Sequence, residues 1–126
     1  MAFTEERHRA LLVEDDAGIR RLVERLLERR GIDVDSATDG ETALAKLGSS
    51  HYKILILDLM VPKVNGFQII DYIREHKLDL PVAVVSAVSQ QALTRLDLDI
   101  VKVVIPKPFD VDEFTKAVLA LCEDGD

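Results

Sequence analysis

The sequence predicts an α/β domain, a five-stranded parallel sheet with helices on both faces. Three observations carry that expectation. Five short runs rich in Val, Ile and Leu recur along 126 residues. Between them the apolar spacing changes to the i, i+3, i+4 pattern of an amphipathic helix. Strand and helix signals alternate throughout, which is the order that builds a parallel sheet through crossover connections.

In chain order, the first run is Ala10–Glu14 and ends in acids. Ile19, Leu22, Val23, Leu26 and Leu27 then share one helical face, so Ala17–Arg30 reads as a helix, with Gly31 where a left-handed C-terminal cap belongs. Asp33–Ala37 alternates acid with apolar and reads as an edge strand. Ala43, Leu44 and Leu47 mark a short helix ended by Gly48. Ile54–Leu57 and Val82–Val85 are apolar throughout, as strands covered on both faces are. Between them Phe67, Ile70 and Ile73 mark a helix begun after Asn65-Gly66. Ser89–Leu98 is expected to form a short helix and Val101–Ile105 the last strand. Phe114, Ala117, Val118 and Leu121 give the final helix, with Asp110 as its N-cap. Right-handed crossovers leave few topologies, and the expected one is the flavodoxin-like doubly wound sheet, order 2-1-3-4-5, with five helices. The domain is expected over 10–122, between a polar N-terminal extension, 1–9, and a short acidic tail, 123–126.

Composition narrows the function. The length suits one domain. The net charge of −7 opposes direct nucleic acid binding and suits a metal ion or a basic partner. No apolar run approaches the ~18 residues of a membrane span. The polar N-terminus lacks the apolar stretch of a secretory signal, and the single cysteine, Cys122, permits no internal disulfide. Together these point to a cytoplasmic protein.

In a doubly wound sheet the ligand site lies beyond the carboxyl ends of the strands, where the winding reverses. The expected strand ends carry Glu14-Asp15-Asp16, Asp58, Ser86 and Pro106-Lys107-Pro108. Each has a plainer role when taken alone: Asp16 as a helix cap, Asp58 as a turn residue, Ser86 bonded to backbone, Lys107 solvated. Their joint placement at one switch point favours function. Packed carboxylates repel one another and lose hydration, unless a divalent cation neutralises them. Hard oxygen ligands of this kind suit Mg2+. A carboxylate beside that cation can attack a phosphoryl group, whose charge the lysine and hydroxyl would stabilise. The three histidines show no metal or triad spacing, and no Gly-rich phosphate loop is present.

With those residues in place, the chain closely resembles the receiver domains of two-component response regulators. Leu12-Val-Glu-Asp-Asp16, Leu57-Asp-Leu-Met-Val-Pro62 with Asn65-Gly66, Val85-Ser-Ala87 and Pro106-Lys-Pro-Phe109 carry the likeness, from about Ala10 to Leu121. The resemblance implies that Asp58 is the phosphoacceptor. Asp15, Asp58 and the carbonyl of Met60 would bind Mg2+ directly, with Glu14 acting through water. Lys107 would pair with Asp58 and then with the phosphoryl oxygens, Ser86 would move inward to meet the phosphoryl group, and the Lys107–Pro108 bond would be cis. The donor would be a sensor histidine kinase or a histidine phosphotransfer protein. The output would go to an effector domain, a separate protein or a second copy of the chain. Such a domain catalyses its own phosphorylation and slow dephosphorylation without being a turnover enzyme.

The chain also departs from the family pattern. Val104 stands where many members carry Tyr or Phe, and Leu98-Asp-Ile100 replaces the usual Gly-Ala before the last strand. Met60 and Val88, two residues beyond Asp58 and Ser86, are apolar and cannot orient a hydrolytic water. The alternative reading is a receiver-fold interaction module with little or no phosphoryl turnover, mildly favoured by Val104 and opposed by the intact acids, Ser86 and Lys107. A nucleotide or flavin binder would want backbone N–H donors after the first strand, and an aspartate-based phosphatase a second acid where Met60 stands.

Overall fold

The structure, a computed structural model, describes residues 8–124. Its elements run β1 (Arg9–Val13), α1 (Ala17–Glu28), β2 (Asp33–Ala37), α2 (Gly40–Ser49), β3 (Ile54–Leu57), α3 (Gly66–Glu75), β4 (Val82–Ser86), α4 (Gln90–Leu93), β5 (Val101–Pro106) and α5 (Val111–Asp124). The strands form one parallel sheet in the order β2-β1-β3-β4-β5. The flavodoxin-like, doubly wound arrangement expected from the sequence is the one observed.

Period-two alternation explains the two-sided core. Leu11 and Val13, Leu55 and Leu57, and Val82 and Val84 face α2 and α3. Ala10 and Leu12, Ile54 and Ile56, and Ala83 and Val85 face α1 and α5. Every residue of β3 and β4 is buried, whereas β2 is buried only at Ala37, as an edge strand should be. Cys122 is buried in the α5 layer, and Val104 is packed against the opposite one.

Several boundaries differ from expectation. α1 is shorter than 17–30, yet Gly31 has φ +81° and caps it as predicted. Ile32 N–H donates to Leu27 O and Gly31 N–H to Glu28 O, the paired bonds of a Schellman cap. Gly48 does not end α2. The helix runs on to Ser49, and the extended Ser50 closes it with an N–H bond to Lys46 O. The helix expected over Ser89–Leu98 is one turn, 90–93. Beyond it Arg95 and Leu96 close tighter bonds three residues back, and Asp97 accepts from the Asp99 N–H. Acids at 97 and 99 oppose the negative end of a continuing helix. At the termini, Arg9 opens β1 and α5 continues through Glu123 and Asp124. The rest of the expected extension, 1–7, and of the tail, 125–126, lies outside the described residues.

Candidate functional site

The carboxyl ends of β1, β3, β4 and β5 meet above the sheet because the parallel register keeps them level. Val13 pairs with Leu57, and Ser86 pairs with Pro106. Asp58 follows β3 directly, its N–H bonded to Val13 O, and Glu14 follows β1. Lys107 follows β5, its N–H bonded to Ser86 O.

These residues converge on the carboxylate of Asp58. Oδ1 accepts the hydroxyl of Ser86 at 2.9 Å and the N–H of Met60 at 3.0 Å. Oδ2 accepts the ammonium of Lys107 at 2.9 Å. The same ammonium donates to Glu14 Oε1 at 2.7 Å, and Glu14 Oε2 accepts the N–H of Asp16 at 3.1 Å. Glu14 and Asp58 are 2 % and 7 % exposed, so their charges are largely desolvated.

Burial is the largest influence on each group. It pushes Asp58 up, but hydrogen bonds from Met60, Lys107 and Ser86 outweigh it and hold the carboxyl below its ordinary value. Burial also pushes Glu14 up, and there it prevails over the Lys107 and Asp16 bonds, aided by the negative charge of Asp58. Burial would lower Lys107, but its two carboxylate partners hold it above its ordinary value. The site therefore keeps an ionised Asp58 beside a charged lysine.

Glu14, Asp15 and Asp58 each offer a carboxylate oxygen within 4.8 Å of the others. Three hard anionic donors at that spacing, served among the described residues by the one ammonium of Lys107, fit a divalent cation such as Mg2+. Asp16 stands apart: its side chain accepts the Ile19 N–H at 2.9 Å and caps α1, the plainer role weighed for it. Met60 is 66 % exposed on the rim, and Val88 is partly buried against the core. The Lys107–Pro108 bond is cis, as the resemblance implied.

Two features escape the sequence. The Ser86 hydroxyl is bonded to the Asp58 carboxylate itself, a contact the resemblance, which concerns the phosphorylated site, did not specify. The loop after Asp58 is also latched to the start of α2. Gly40 N–H donates to Pro62 O, Lys63 lies 3.8 Å from Asp39, and a Cβ on Gly40 would collide with the backbone carbonyl of Val64. Asp39-Gly40 signals a turn and a cap in the sequence, but nothing local indicates which loop it receives.

Residues 10–119 match the response regulator receiver domain family. The chain is 37% identical over 112 residues to the transcriptional regulatory protein CpxR homolog of Haemophilus influenzae, covering 88% of this chain and 48% of that protein. It is 34% identical over 113 residues to the response regulator ArlR of Staphylococcus saprophyticus, covering 88% and 50%. The chain thus spans about half the length of the curated relatives it matches. Among solved structures, the receiver domain of the Francisella response regulator 1452 superimposes with a TM-score of 0.87 at 26% identity, covering 94% of this chain and 99% of that one. The response regulator TrrA of Thermotoga maritima, in complex with Mg2+ and BeF, gives 0.80 at 31% identity, covering 90% and 98%. Sheet order, acidic switch point and sequence match agree, and the chain belongs to the response regulator receiver domain family of two-component signalling systems.

Proposed function

We propose that this domain accepts a phosphoryl group on Asp58 from a phosphohistidine donor and in doing so switches a protein-interaction surface. One observation carries the reading: a single carboxylate engages a lysine ammonium, a hydroxyl and a backbone N–H while two further acids lie within reach of a shared cation. An oxygen of ionised Asp58 forms the new bond to phosphorus. The P–N bond breaks, and the imidazole leaves with its electron pair. Lys107 and Ser86 stand where they can bond the phosphoryl oxygens that displace their present partner. Glu14, Asp15 and Asp58, with the carbonyl of Met60, would hold Mg2+. Bound there, the ion supplies charge neutralisation for the transferring group.

The TrrA complex with Mg2+ and BeF supports the same use of the site here. A sensor histidine kinase or phosphotransfer protein is the proposed donor. An effector domain, a separate protein or a second copy of the chain receives the output, in the cytoplasm. Among the described residues no helix is long and apolar enough to cross a membrane. Incubation with acetyl phosphate and Mg2+ tests the proposal by intact-mass measurement. The wild-type chain should gain one phosphoryl group and Asp58→Asn none; equal gain in both, or gain in neither, contradicts it.

A further inference from the structure

Asp15 is held differently from the other acids of the site. Glu14 is tied by Lys107 and by the Asp16 N–H, Asp58 accepts three hydrogen bonds, and Asp16 caps α1. Among the described residues no hydrogen bond or ion pair reaches the exposed Asp15 carboxylate. Its placement therefore depends on its backbone. That backbone is gripped from α1: Arg20 Nη1 donates to Glu14 O at 3.3 Å and to Asp15 O at 3.4 Å. One half-buried guanidinium thus spans the two consecutive residues whose carboxylates join the cluster.

The geometry points to Arg20 as a positioning residue for the cation-binding loop, holding Asp15 ready for a divalent ion. This rests on the metal reading proposed above. Two effects of Arg20 oppose each other. Its positive charge repels an incoming cation, while its hydrogen bonds pre-order a ligand that would otherwise lose freedom on binding. The charge is partly in water and screened by salt, so the ordering effect prevails. The two effects predict opposite signs when the guanidinium is removed. They also separate Arg from Lys, because an ammonium keeps the charge on a flexible stem without the rigid guanidinium that sets Nη1 between the two carbonyls.

Titration of the full chain with Mg2+ at fixed ionic strength, followed by backbone amide shifts, decides between them. Arg20→Ala should weaken Mg2+ binding about ten-fold, the lower end for residues that orient metal ligands. Arg20→Lys should also bind more weakly than wild type despite its unchanged charge. Arg21→Ala is the control, an exposed arginine one position along α1 with no bond to the loop among the described residues; its affinity should stay level or rise slightly. Phosphorylation of Arg20→Ala by acetyl phosphate should recover at saturating Mg2+, placing the defect in metal binding. Unchanged or tighter binding in Arg20→Ala, or equal weakening in Arg21→Ala, overturns the assignment. If Arg20→Ala does not fold, Arg20→Lys carries the test alone, and wild-type affinity there overturns it. A wild-type chain without Mg2+-dependent shifts would sink the metal reading itself, whereas normal wild-type binding with an indifferent Arg20→Ala sinks this inference only.

Discussion

By the family resemblance Met60 and Val88 would flank the route of water to a phosphoryl group on Asp58, and neither apolar side chain offers an acid or amide to orient it. Once loaded, the domain should hold its phosphoryl group far longer than seconds. Decay of the loaded species after removal of a small phosphodonor measures this, and a half-life of seconds would contradict it. A second residue-scale feature is Lys77. It ends α3 at φ +52°, with its N–H bonded to Arg74 O and the N–H of Leu78 bonded to Ile73 O, the cap geometry that glycine usually serves. A Cβ in that region costs about 1 kcal/mol, so Lys77→Gly should stabilise the chain by a fraction of that, after the greater freedom of unfolded glycine is counted. Urea unfolding checks it; a loss of stability would show that the lysine side chain contributes more than its strain costs.

At the scale of elements, β2, α2 and the approach to β3 are stapled by Asp35. Its carboxylate accepts Tyr52 Oη at 2.7 Å and Lys46 Nζ at 2.9 Å, with Arg9 at 3.4 Å. Burial pushes Asp35 up, but these partners together outweigh it and hold the carboxyl below its ordinary value. Burial and the same hydrogen bond push the Tyr52 phenol up to about 12, so it remains a donor throughout the working range. Because the folded value of Asp35 lies below the unfolded one, its stabilisation is fully present at neutral pH. It is lost as pH falls through the folded value. Asp35→Asn should therefore cost about 1 to 2 kcal/mol near pH ~7, and the gap to wild type should narrow below about pH 4. Urea curves at both pH values test the sign, and a gap of constant size would contradict the role given to the charge. The shortened α4 belongs to this scale too. Arg95 lies over the ring of Phe67 at 4.7 Å and Arg74 reaches Asp97 at 3.5 Å, so the segment after α4 is pinned to α3, leaving Leu98 74 % exposed.

For the whole molecule, a divalent cation held at the acidic site would make stability depend on that ion. Glu14, Asp15 and Asp58 are assembled only when β1 and β3 are paired, so an ion that binds them binds the folded chain alone. At a concentration 100 times its Kd such a ligand stabilises by ~2.7 kcal/mol, which for a domain of this size corresponds to a rise in Tm of roughly 10 °C. Mg2+ should raise the melting temperature accordingly, and Asp58→Ala should blunt the response. A melting curve indifferent to millimolar Mg2+ would contradict a preformed metal site.

The sequence by itself determined the kind and order of the elements, the two-faced burial of β3 and β4, and which groups end the strands at the switch point. Those properties are written within a few residues: period two or 3.6, a cap such as Asp16, a glycine such as Gly31. Tertiary structure alone decided that α4 stops after one turn, that Gly40 seats the loop after Asp58, that Ser86 already faces its carboxylate, and that Lys107 is shared between Asp58 and Glu14. The last of these joins residues 93 positions apart. Such a pairing depends on sheet register and crossover packing, which no local stretch of chain encodes.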